Sequence, residues 1–120
     1  MKKLAKREEQ IMQVLWEIGP SFVKEIIEQF PDPKPHYNSI STMVRILETK
    51  GFISHEAFGK SHQYFSVVSK EDYQKKAVDD LLGSFFNNST SEMVAYFAKE
   101  EKINEDELQS IIKLIKNKDQ

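Results

Sequence analysis

At Gly51 the hydrophobic period of this chain changes from about 3.6 residues to 2, and that change limits the fold more than any other feature. Three helical stripes precede it. Residues 6–18, KREEQIMQVLWEI, put Ile11, Val14, Leu15 and Ile18 on one side. Gly19-Pro20 ends that stretch, since proline has no amide to give a helix interior. Ser21 is a candidate N-cap for a second, short helix with Val23, Ile26, Ile27 and Phe30 on its apolar side. Three prolines in PDPKP at 31–35 break it. The third helix comes from YNSISTMVRILETKGF at 37–52, with Gly51 at the position where helices favour a left-handed residue. Beyond it FISHEA and YFSVV read as two short strands, and FGKSHQ between them reads as a hairpin loop.

Three helices followed by a two-stranded hairpin is the order of a winged helix-turn-helix. The expected fold is therefore mostly α with a small β-hairpin, over residues 1–69. Residues 70–120 read as a separate helical region. Ser69 with Asp72, Ser89 with Glu92 and Asn104 with Glu107 resemble three N-terminal caps. The helices behind them carry Val78, Leu81, Leu82 and Phe85, then Met93, Val94 and Phe97, then Leu108, Ile111, Ile112 and Ile115. Helices this short are marginal alone, and about 50 residues make a poor independent core. Such stripes need another surface, and a second copy of the same region is the expected one.

The third helix points to function. At about 100° per residue, Ile40, Met43, Val44 and Leu47 form one inner face. Asn38, Ser41, Thr42, Arg45 and Thr49 cluster opposite, with Ser39 and Ile46 at a flank. Short polar side chains let a helix backbone come close to another surface. Asn, Ser, Thr and Arg also hydrogen-bond base edges and phosphates in a major groove. Asn38, Ser39, Ser41, Thr42 and Arg45 are therefore candidate DNA-binding residues. Lys60 and His62, beside Gly59 in the expected wing loop, join them as candidate phosphate contacts, and Lys50 and Arg7 also lie within the basic half. A plain solvated helix face is the competing interpretation, because only one basic residue lies on this face. A winged-helix module that binds protein rather than DNA is the alternative function, favoured by the low pI of about 5.9.

Charge is distributed unevenly. Residues 1–70 carry net +2 and residues 71–120 net −4, which suggests two parts with different partners. Cysteine is absent, so no disulfide or thiolate site forms and a reducing compartment fits. No run nears the roughly 18 apolar residues of a membrane span. MKKLAKREEQ lacks the apolar segment of a signal peptide. A cytoplasmic protein without membrane insertion is expected. His36, His55 and His62 are too scattered for a recognisable metal motif, and His55 reads as a surface residue. Trp16 reads as core. No nucleophile elbow, zinc-protease helix or phosphate-cradling loop occurs, so neither an enzyme nor a cofactor is expected.

Several segments carry a resemblance to a known family. EEQIMQVLWEIGP, VKEI, YNSISTMVRILETKGFI and HQYFSVVS resemble the penicillinase-repressor family (BlaI/MecI), over nearly the whole chain. The resemblance implies a homodimeric transcriptional repressor on a palindromic double-stranded DNA operator, similar to β-lactam-resistance repressors, with short dimerisation helices at its end. It also implies a partner, a membrane sensor-protease that inactivates the repressor by cutting in those helices. Two departures stand out. The family often has arginine where Ile46 stands, with Arg45 one place earlier here. The family's cut falls at an Asn-Phe bond in the fifth helix, and MVAYFAKEE contains none. Copper-responsive relatives use cysteines, which excludes that mode of sensing.

Overall fold

The computed structural model describes residues 3–118, with side chains as far as Leu114. Six helices and one hairpin run in the order α1 (Lys6–Ile18), α2 (Val23–Glu28), α3 (Tyr37–Thr49), β1 (Ile53–Phe58), β2 (Ser61–Ser66), α4 (Lys70–Phe85), α5 (Thr90–Lys99) and α6 (Glu105–Lys118). The chain forms two compact units, Met1–Lys76 and Ala77–Gln120. No helix among the described residues is long and apolar enough to cross a membrane.

The first unit is a winged helix-turn-helix. Its core takes Leu4 and, from α1, Ile11, Met12 and Leu15. Val23, Ile26 and Phe30 enter from the α2 region, Ile40, Val44 and Leu47 from α3, and Phe52, Ile53 and Tyr64 from the hairpin region. Ile18 departs from the expected stripe: it is 41% exposed at the end of α1. Trp16 packs at the core margin. Its indole N–H donates to the Val68 carbonyl at 2.9 Å, and its ring lies 5.7 Å from that of Tyr73. Tyr73, in the first turn of α4, also meets Phe52 edge-on at 6.0 Å.

At α1 and α2 a glutamate in the first turn accepts the amide of the N-cap residue. Glu8, 6% exposed, accepts the Ala5 amide at 2.8 Å and closes the start of α1. Its other partner is Lys50, whose Nζ lies 3.0 Å from the carboxylate at the far end of α3. Lys50 is thus committed to an ion pair rather than free for a phosphate. At α2 the expected Ser21 cap is wrong. The N-cap residue is Phe22, whose amide donates to Glu25 at 2.9 Å. Ser21 instead forms a β-bridge with Tyr64, with both N–H···O bonds at 2.8 Å, and its hydroxyl donates to Gly19. A residue whose backbone is held extended by a bridge is no longer placed to cap the next helix.

Gly51 ends α3 with φ +87°. Its amide donates to Glu48 at 3.0 Å and that of Phe52 to Leu47 at 3.0 Å, the double bond of a Schellman motif. The hairpin differs from its expected form. Only Gly59 and Lys60 lie outside the strands, so His62 belongs to β2 and not to a loop. Gly59 has φ +63° at the first loop position, as a two-residue type II′ turn requires. Ser69, Ser89 and Asn104 cap α4, α5 and α6 as expected: their side chains accept from the amides of Asp72, Glu92 and Glu107 at 3.0, 3.1 and 2.8 Å.

Gly51→Ala should lower stability by about 1–2 kcal/mol, because a Cβ is unfavourable in the left-handed region. Urea unfolding followed at Trp16 measures it; an unchanged midpoint would show that the turn relaxes freely.

Candidate nucleic-acid interface

The inner residues of α3 fix which way it faces. Ile40, Val44 and Leu47 are fully buried, and Met43 is half-buried. The opposite side is therefore presented outward. Asn38, Ser39, Thr42 and Arg45 are exposed, and Ser41 is half-buried. Thr49 spends its hydroxyl on the Arg45 carbonyl at 3.0 Å. Ile46 is 43% exposed on the flank, so it is available to an apolar contact such as a thymine methyl.

These residues divide into two rows. Tyr37, Ser41 and Arg45 repeat every four residues and line a cleft whose other wall carries Lys60, His62 and Tyr64 of the hairpin. Asn38, Ser39 and Thr42 lie outside the cleft's lining. Lys60, at the hairpin turn, and His62 are exposed. The structure thus brings Ser41 and Arg45 together with Lys60 and His62. From α2 the cleft receives Lys24, Glu25 and Glu28, so its charge is mixed.

Four residues were missed from sequence. Tyr37 falls toward the inner face by helical spacing, yet it is 52% exposed because it starts α3. Lys24 gave no signal beyond being one exposed lysine. Tyr64 is 5% exposed at the floor of the cleft. Burial and then the Glu48 charge raise its phenol above the ordinary value of 10.0, while Arg45 pulls it down. Tyr64 therefore offers Arg45 a neutral phenol. His55 is not the surface residue expected from sequence: its ring nitrogen lies 2.6 Å from Glu48, and its side chain is 31% exposed. Register explains this, since His55 pairs with Tyr64 on the face that also carries buried Ile53. Arg7, for its part, lies over the Phe30 ring at 5.1 Å. Among the described residues no group of three or more His, Asp or Glu is placed to hold a metal ion.

The candidate dimer residues lie in the second unit. Val78, Leu81 and Phe85 are 44%, 37% and 75% exposed. Leu82, Met93, Val94, Phe97, Leu108, Ile111 and Ile112 are half-buried. The side chain of Ile115 lies outside the described residues. Phe86, Tyr96 and Phe97 form an aromatic cluster with centroids 5.6–6.5 Å apart.

An outward third helix beside a two-stranded wing places the protein in the winged helix-turn-helix class. The chain also belongs to the penicillinase repressor family, whose model matches residues 4–117. It is 23% identical over 117 residues to the methicillin resistance regulatory protein MecI of Staphylococcus aureus (strain N315), covering 97% of this chain and 95% of the relative. Identity to the MecI protein of Mammaliicoccus sciuri is 24% over 119 residues, with the same coverage. The penicillinase repressor of Bacillus licheniformis is 24% identical over 123 residues, covering 96% and 93%.

The raised Tyr64 and Tyr73 phenols predict an alkaline limit. Folding favours the neutral phenol, so this contribution is complete below about pH 10 and is lost as pH rises through the folded values. The urea midpoint should drop as pH rises above about 10, and Tyr64→Phe should shrink the drop. An equal drop in that variant would exclude Tyr64 as a cause.

Proposed function

We propose that the protein is a sequence-specific DNA-binding transcriptional repressor that acts as a homodimer on a palindromic operator. The observation that carries this reading is the outward row of short polar residues and Arg45 on α3, beside a wing bearing Lys60 and His62. Asn38, Ser39, Ser41, Thr42 and Arg45 face the major groove in this reading, and Lys60 and His62 meet phosphates. Family membership supports it, and the names of the relatives point to antibiotic-resistance genes as targets. α5 contains no Asn-Phe bond, so release by a sensor-protease at that bond is not part of the proposal.

The second unit supports the dimer. No residue from 77 to 114 is buried, although its helices carry regular apolar stripes. A two-fold pairing of those stripes would cover them. It would also set two α3 helices on half-sites about one helical turn apart. Tethering then offsets a sparse basic face, because the second half-site binds at raised effective concentration.

Arg45→Ala and Asn38→Ala should weaken operator binding by about 1–3 kcal/mol each, and random duplex by less. Lys60→Ala should weaken both alike and reduce the slope of log affinity against log salt by just under one. Anisotropy titrations on duplex from upstream of the protein's own gene measure both. Failure to bind any duplex would favour the protein-interaction alternative.

Residues 1–76 have their own core, with Tyr73 packed against it. A truncation after Lys76 should stay folded, become monomeric in sedimentation and bind the operator far more weakly. A truncated protein that remained dimeric would move the interface to the first unit.

A further inference from the structure

We propose that Glu48, His55 and His62 form a relay joining the wing to α3, and that DNA binding takes up a proton there; this rests on the DNA-binding reading above. The hairpin register pairs His55 with Tyr64 and Ala57 with His62. His55 and His62 are thus diagonal neighbours on one face of the hairpin. Their rings stack with centroids 4.1 Å apart and planes 10° from parallel. At the inner end, His55 Nδ1 lies 2.6 Å from Glu48 Oε2. Glu48 is on α3, three residues past Arg45, with its side chain 30% exposed. At the outer end His62 is exposed, two residues from Lys60. A carboxylate on the reading helix is thereby connected through two imidazoles to the wing.

The charges give this chain of contacts a direction. Among the described residues, the carboxylate paired with the stacked rings is Glu48, at the His55 end. A phosphate at the wing would supply a second anion, at the His62 end. An anion on each side favours the protonated pair more than one anion alone, so the complex holds more protons than the free protein. Linkage then requires affinity to rise as pH falls. Arg45 and Tyr37 of α3 face the same cleft, as do Tyr64 and Lys60 of the hairpin and Lys24, Glu25 and Glu28 of α2. Arginine, lysine, tyrosine and carboxylate groups ordinarily exchange protons outside pH 6–8, whereas imidazole does so within it. Two cations at a 4.1 Å spacing repel, so uptake stays at or below about one proton per protomer. Glu48 acts in this scheme as a positioning residue: it orients His55 and touches no DNA.

The test uses the full chain and duplex from upstream of its own gene at fixed salt. Affinity should rise about threefold to tenfold from pH 8 to pH 6. Calorimetry in two buffers of different ionisation enthalpy should report net proton uptake. His62→Gln and Glu48→Gln should each flatten the profile to less than about twofold, at an unchanged melting temperature. His36→Gln should keep the profile, since His36 sits at the N-cap of α3, outside the stack. In the free protein, the His55 ring resonances should follow the titration of His62 and lose that response in His62→Gln. Binding that persists at equal affinity across this pH range overturns the relay and leaves the DNA-binding reading standing. A profile kept in His62→Gln, or lost in His36→Gln, also overturns it. Absence of binding at every pH overturns both readings, and independent titration of the two rings overturns the relay without reference to DNA.

Discussion

The backbone of Phe52 is where the winged unit is fastened. Its amide donates to Leu47 and closes α3, while its carbonyl accepts from Val67 and Val68 at 2.8 and 3.2 Å, where the chain leaves β2. Its side chain is 1% exposed. One residue therefore ends the third helix, draws together the two ends of the hairpin and fills the core between them. Only a left-handed Gly51 lets the chain reverse quickly enough for all of this to occur at one place. The direction of the wing relative to α3 follows from that reversal.

Two further ties hold the same arrangement. The Glu8–Lys50 ion pair joins the start of α1 to the end of α3, and Glu8 is satisfied a second time by the Ala5 amide. A nearly buried carboxylate with both a cation and an amide avoids the cost of an unpaired charge. The Ser21–Tyr64 bridge joins the entry to α2 to β2. Between them, these contacts leave the Ser41–Arg45 row beside the wing. The second unit is organised differently: its caps are complete, but its apolar stripes are left uncovered.

Much of this was legible in the sequence, and the exceptions share a cause. Helix limits at 6–18 and 37–49 followed from apolar spacing and from Gly-Pro and Lys-Gly stops, which are local signals. The capping pairs at 69, 89 and 104 were legible for the same reason. Glu8 and Lys50 carried the family resemblance, but their pairing spans 42 residues and no local pattern reveals it. Ser21 was misread because a bridge to Tyr64 outweighed its capping tendency. The hairpin loop was drawn too long, since exposed Phe58 and His62 gave no sign of strand burial. His55 and His62 looked scattered until the register set them against one another. Within the candidate interface, spacing found the outward residues of α3. It did not find Tyr64, at the floor of the cleft, or Glu48, which pairs with His55.

In the proposed repressor, two copies present α3 and its wing together to one duplex. Hydroxyl-radical footprinting of the full-length protein on DNA from upstream of its own gene tests it most directly. Two protected patches related by two-fold symmetry are expected, with centres about one helical turn apart or a multiple of it. A single patch, or uniform protection without symmetry, would contradict it.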